Sequence, residues 1–319
     1  MAYSQVGTPR FYVNALEWLK VNGKLSYSIP QYNTLPVTPV TYDIGNSAVT
    51  IPDGTLSTKS FVAILGHNFG NVWEYNDIAY KITSDAGDWS DTISVINGSS
   101  DVWHNGFSIS TFNGTGMYTD LFFDHTSSGS YIPTISSILI GNYYEMPHSP
   151  DLNLSISYEY DGVDQITTKG GSTLTNTRYS KPAKWGDMGA WDLGGYEADL
   201  GYIGRSGRRI FDLSFSYLDD GDALGLNQNI GISVWGVQDA NDYDDDDIDT
   251  YYAYNILTDD SFYTQVVHRT NGGTIPFIFQ PDKDDISNFA ICVMDQKSIQ
   301  FQQTAPGLYS VKLKLREVW

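Results

Sequence analysis

The sequence predicts an all-β protein, built as two β-sandwich, jelly-roll-like domains with at most one or two short helices. Three observations carry that prediction. Short apolar runs recur along the chain, separated by Gly, Asn, Asp and Ser. Aromatic residues make up 14%, with 23 Tyr and 8 Trp, while only 18% are charged, a balance that suits sheet faces and argues against disorder. A length of 319 residues exceeds what one core usually organises, so two domains are expected, 1–148 and 149–319.

Near the start, Phe11, Ala15, Trp18 and Leu19 fall on one helical face, and Gly23 is placed to end a short helix. The segment Pro30–Pro39 carries three prolines, which withhold backbone donors and predict an extended arm with few contacts to its own core. Beyond it SFVAILG, ISVING, FSISTFNGTG, DLFFD and ISSILIG read as strands. Phe107 and Ile109 alternate with Ser108 and Ser110, the period of a half-buried strand. The continuous runs FVAIL and ILI predict strands buried on both faces. Such strands hide their apolar faces against another sheet, hence the sandwich. The two prolines of MPHSPDL, Met146–Leu152, mark the linker between domains.

In the second half Leu152, Leu154, Ile156, Tyr158 and Tyr160 alternate with polar residues up to the hairpin signal Asp161-Gly162. The Gly-, Thr- and Trp-rich stretch 167–207 reads as a long excursion of the functional kind. In RRIFDLSFSYL, Phe211, Leu213, Phe215 and Tyr217 face one way and Asp212, Ser214 and Ser216 the other. Further strands are predicted at GISVWGV, SFYTQVV, IPFIFQ, FAICVM and VKLKLREVW. The last alternates Val311, Leu313 and Leu315 with Lys312, Lys314 and Arg316, and its apolar ending predicts a strand integral to the second sandwich.

Lys and Arg number 18 against 38 Asp and Glu, a net charge of −20 that repels phosphate backbones and anionic lipid at long range. Nucleic acid is therefore not an expected partner. No run approaches the ~18 consecutive apolar residues of a membrane span, and MAYSQVGTPRF lacks the basic start and apolar core of an export signal. The single cysteine, Cys292 in FAICVM, reads as a buried inert thiol, compatible with a reducing cytoplasm.

No G-x-S-x-G elbow, phosphate-cradling loop or H-E-x-x-H pair occurs, so no catalytic residue is assigned. His67, His104, His125, His148 and His268 are scattered without the i, i+4 spacing that seats two metal ligands on a helix. No cofactor is implied. The run Asp239–Asp249 holds seven aspartates in eleven positions and offers oxygens to a hard cation such as Ca²⁺, but it lacks the EF-hand pattern, and a solvated acidic loop is the simpler reading. Trp73, Tyr75, Trp89 and Trp103 fall near turns, where rings stack on sugars, anchor a partner or pack in a core. Arg205, Arg208 and Arg209, with Lys312, Lys314 and Arg316, punctuate an acidic chain. If their strands are neighbours they form a cationic face for inter-subunit contact, the alternative being local ion pairs.

The runs FVAILGHNFG and ISSILIGNYYEMP, with the aromatic, turn-rich segment between them, resemble galactose-binding-like jelly rolls of phage structural proteins. RSGRRIFDLSFSYL, PFIFQPD and FQQTAPGLYSVKLKLREVW are similar to segments of tail proteins from tailed bacteriophages, especially marine ones. The resemblance implies a non-enzymatic virion structural protein of the tail or baseplate. Its partners would be copies of itself and other virion proteins, and it would be made in the host cytoplasm. No coiled-coil heptads or glycine-rich fibre repeats occur, which departs from a fibre shaft. The other readings are a carbohydrate-binding adhesin for host attachment, a capsid decoration protein and a glycan-cleaving enzyme.

Overall fold

The computed structural model describes residues 7–25, 32–35, 38, 40–41, 51–52, 55–66, 78–83, 102–104, 107–114, 120–125, 134–160, 163–177, 184–185, 188–189, 207–225, 259–285 and 288–318. Over these the chain is all-β, antiparallel throughout, with three short helices.

The first half comprises β1 (Arg10–Asn14), α1 (Ala15–Val21), β2 (Val40–Thr41), β3 (Ser60–Leu65), β4 (Ile78–Thr83), β5 (Val102–His104), β6 (Phe107–Phe112), β7 (Asp120–His125), β8 (Thr134–Ile135) and β9 (Ser137–Glu145). The second comprises β10 (Ser155–Glu159), β11 (Val163–Thr167), β12 (Thr173–Thr177), β13 (Lys184–Trp185), β14 (Met188–Gly189), β15 (Arg208–Asp219) and α2 (Asp220–Ala223). A π-helix (Tyr263–His268) follows, then β16 (Phe277–Gln280), β17 (Ala290–Met294), β18 (Phe301–Ala305) and β19 (Leu308–Glu317).

Eleven strands form one sheet in the order β10-β15-β19-β17-β16-β1-β9-β3-β6-β5, with β18 also pairing β19. The expected division at 148/149 falls in the connection between β9 and β10, and this sheet is continuous across it. Strand β1 joins the two parts, pairing β9 along one edge and β16 along the other. Alternation along the strands then builds two cores on opposite faces. Phe11 and Val13 join Phe211, Phe215, Phe277, Phe279 and Leu315 on one side, while Tyr12 joins Phe61, Leu139 and Ile278 on the other. The runs FVAIL and ILI are buried at every position because both faces of β3 and β9 are covered.

Four local expectations are corrected. Phe11 lies in β1, not in a helix, because Asn14 caps α1: its Oδ1 accepts from the Leu16 N–H at 3.2 Å. The segment SFYTQVV is not a strand but contains the π-helix. The Ser261 hydroxyl accepts from the Thr264 N–H at 3.2 Å, and Asp259 accepts from both hydroxyls at 3.0 Å, a local network that competes with ladder pairing. Tyr217 does not share the inward face of β15. A bulge between Phe215 and Leu218, with Tyr217 at φ 62, turns its ring outward and returns Leu218 to the core. The proline-rich arm is tied to its own core, since Tyr32 and Thr34 are buried. Asn14 Nδ2 donates to the Tyr32 carbonyl at 2.9 Å, and the Thr34 N–H donates to Glu17 at 2.8 Å.

Candidate functional site

Strands β15 and β19 are neighbours in register Ile210↔Arg316, Asp212↔Lys314 and Ser214↔Lys312, so the bases of the terminal strand share a face with the polar residues of β15. Two of the three bases on that face are paired with carboxylates. Lys314 Nζ lies 2.9 Å from Asp295, and a hydrogen bond to that carboxylate raises its pKa. Arg316 grips Glu159 of β10 through Nε at 2.7 Å and Nη2 at 2.6 Å. Lys312 is exposed and borders a shallow depression of about 220 Å³ with Asn153, Asp212, Ser214 and Gln296. Lys312 and Lys314 line it with Asp212, and Asp295 binds Lys314 from outside, so two carboxylates balance the two lysines.

Arg209 is a correction. It is buried rather than presented to a neighbour, and its carboxylate partner Glu317 is buried with it. The Arg209 backbone N–H donates to Glu317 Oε2 at 2.8 Å, Nη2 reaches Oε1 at 3.1 Å, and Nη1 donates to Asn288 at 2.7 Å. Nη2 also donates to the Phe289 carbonyl, and the guanidinium lies 5.5 Å from the Phe211 ring centroid. The cluster ties β15, β19 and the approach to β17 together. It was legible in the alternation, because Arg209 shares parity with Phe211 and Leu213, and Glu317 with Leu313 and Leu315. Arg208 is half-buried at the start of β15, opposite Glu159.

Arg205, Trp73, Tyr75, Trp89 and the acidic run Asp239–Asp249 lie outside the described residues. Trp103 lies on β5 opposite Ser108, at the far end of the main sheet from β10. Of the histidines, His67 lies outside, and His104 and His125 lie on β5 and β7. His148 Nδ1 is 2.8 Å from the Ser149 carbonyl. His268 ends the π-helix edge-on to Trp18, and burial followed by the nearby Arg269 charge lowers its pKa.

Two charged residues with no local sequence signal, Arg269 and Glu145, are held by groups from distant parts of the chain. Arg269 is almost wholly buried. It donates to the Thr55 carbonyl at 3.1 Å and lies 5.7 Å from the Trp18 ring centroid, and burial lowers its pKa to about 10. Glu145 accepts from Arg10 at 2.9 Å and from Lys283 at 2.6 Å, joining β9, β1 and the turn after β16. Both bring together segments far apart in the chain, Arg269 with Trp18 and Thr55, and Glu145 with Arg10 and Lys283.

The feature that stands out is apolar. Strand β10 ends the main sheet and pairs only β15 among the described residues. Ile156 and Tyr158 lie across from Phe211 and Arg209, so they continue the inward row of β15, yet they are 48% and 54% exposed. Tyr160 continues the row at 51%. In the adjoining β11–β12 hairpin the cross-strand pair Ile166 and Leu174 is 65% and 61% exposed. A core that runs out onto an exposed strand makes this row a candidate interaction surface.

Comparison with protein-family models, curated proteins and solved structures finds no match to this chain. Among the described residues no helix is long and apolar enough to cross a membrane.

Proposed function

We propose that this chain is a non-enzymatic structural component of a bacteriophage virion, placed in the distal tail, baseplate or tail tip and acting through self-assembly and subunit contacts. The observation that carries the reading is the apolar row on β10 and the neighbouring hairpin, which a lone chain leaves facing water. A two-stranded hairpin is marginal by itself, so β11–β12 gains from a surface to rest on. The sequence resemblance to phage tail proteins supplies the kind of assembly.

The test is the composition and architecture of purified particles. Mass spectrometry should find the chain in virions at fixed stoichiometry, and cryo-electron microscopy should place its copies in a symmetric ring about the tail axis. Absence from virions sinks the reading. Copies confined to the capsid surface would make it a decoration protein. Release of reducing sugar ends by the purified chain would make it a glycan-cleaving enzyme.

A further inference from the structure

We propose that the depression on the outer face of β15 and β19 binds a single acidic sugar, a polyhydroxylated ring carrying one carboxylate. The site is separate from the assembly contacts proposed above and stands or falls independently of them.

Four side chains set its shape. Asp212 and Ser214 of β15 face Lys314 and Lys312 of β19, in that order, on the solvent side of the ladder. Leu213 and Leu313 between them turn into the core, so the backbone of the two strands forms the floor. Asp212 and Lys312 are therefore diagonal neighbours, ~7–8 Å apart. About 220 Å³ lies between the walls, below the ~300–1,000 Å³ of pockets for larger molecules, which is room for one ring.

Hydrogen bonds fix the walls and decide which groups stay available. Gln296 is spent on the wall: its Oε1 accepts from the Lys314 N–H at 2.8 Å, and its Nε2 donates to the Lys312 carbonyl at 3.3 Å. The Ser214 hydroxyl lies 2.8 Å from Asn153 Oδ1, which leaves the exposed Asn153 Nδ2 as a donor with no partner among the described residues. Asp212 accepts only a long bond, 3.4 Å, from Ser155. Lys314 is held by Asp295, whereas Lys312 is exposed and no described carboxylate lies within ion-pair distance of it.

The available set is thus a cation and an amide donor on one side and a carboxylate acceptor across the diagonal. A ligand carboxylate pairs with Lys312 and Asn153 Nδ2 while ring hydroxyls donate to Asp212, each group meeting its complement. A zwitterion of the same length would bring its ammonium to Asp212 and so beside Lys314, which faces Asp212 directly. A bare anion leaves Asp212 unused, and an uncharged sugar leaves Lys312 without a counter-charge. Repulsion from the rest of the acidic chain is screened beyond ~8 Å at physiological salt.

The experiment titrates the full chain with D-glucuronate, followed by saturation-transfer NMR. A shallow polar site should give a dissociation constant on the order of millimolar, with D-glucose and acetate each at least about tenfold weaker. Lys312→Gln removes the ion pair from an exposed position and should weaken glucuronate at least about tenfold with native circular dichroism. Asn153→Ala removes one neutral donor and should weaken it about threefold. Lys169→Gln, an exposed lysine in the β11–β12 turn, should bind as the parent does.

No saturable glucuronate binding up to about 50 mM would overturn the proposal. Acetate as tight as glucuronate would reduce the site to an adventitious anion contact and overturn it too. Tighter binding of γ-aminobutyrate would overturn the sugar in favour of a zwitterion. A Lys312→Gln chain that binds like the parent would overturn the assignment, and if that variant loses its native circular dichroism, unchanged binding by Asn153→Ala would do so.

Discussion

Arg209 and Glu317 show how two residues can matter for stability while contributing little to a surface. Both charges leave water, and that cost is recovered only because the carboxylate accepts from the guanidinium and from the Arg209 backbone N–H together. Glu317→Gln leaves a buried guanidinium without its counter-charge and should destabilise the fold by about 3–5 kcal/mol in denaturant unfolding, whereas the double replacement Arg209→Met with Glu317→Leu should recover much of the loss. Two equally damaged variants would mean that packing, not pairing, holds this junction. Glu145 behaves differently because it is partly exposed. Burial acts to raise its pKa, but hydrogen bonds from Lys283 and then Arg10 outweigh burial and hold the carboxyl below the ordinary glutamate value. A depressed folded pKa means stabilisation that is complete above the unfolded value and fades as pH falls through the folded one. Glu145→Gln should therefore be less stable than the parent at neutral pH, with the two converging in acid. A stability gap that persists below about pH 3 would assign the effect to side-chain packing instead.

At the level of the element, the junction between β1 and α1 leaves no room for a side chain where it crosses β9. A Cβ added at Gly141 of β9 would sit 1.9 Å from the Val13 carbonyl oxygen and 2.8 Å from the Ala15 nitrogen, both backbone atoms that a rotamer change cannot move. The glycine permits that approach, and Asn14, opposite it in register, caps α1 at the same spot. Gly141→Ala should cost roughly 3 kcal/mol or more, read as a lowered denaturation midpoint, because the strand-to-helix turn has to shift. Strand β19 is the other critical element, since it pairs β15 along its length and shares its second edge between β18 and β17. Deleting 313–319 removes Leu313 and Leu315 from the larger core and Glu317 from Arg209, and should abolish soluble folding. A truncated chain that stays soluble with native circular dichroism would show that β15 and β18 close the sheet without it.

Across the whole molecule, the continuity of the sheet decides what can fold alone. Strand β1 comes from the first 14 residues, yet its pairing with β16 and its Phe11 and Val13 side chains complete the core built around β15, β17 and β19. A fragment 149–319 lacks that strand and exposes the edge of β16, so it should be insoluble or lack a cooperative transition. Adding residues 1–25 in trans would restore pairing only against the translational and rotational entropy of association, which the continuous chain avoids. A fragment 149–319 that unfolds cooperatively on its own would establish the second half as an autonomous domain. The acidic character acts at the same scale: a net charge of −20 repels copies of the chain from one another at long range.

Features that depend on neighbours a few residues away are legible in the sequence. The period of two in 208–216 and 308–317 specifies both strands, their inward rows and even the inward parity of Arg209 and Glu317, because alternation is a property of the extended backbone. The all-β class follows from the same local signal repeated along the chain. Which rows find a cover depends instead on the order of strands in the sheet. Leu213 and Ile156 look alike in sequence, each apolar between polar neighbours, but Leu213 meets Leu313 across a central ladder while Ile156 lies on the last strand. Likewise the spacing of Phe11 from Ala15 suits a helix, but the partners β9 and β16, about 130 and 270 residues away, make its segment a central strand. Strand partners are chosen by long-range burial and register, and neither is written in the local pattern that names a strand.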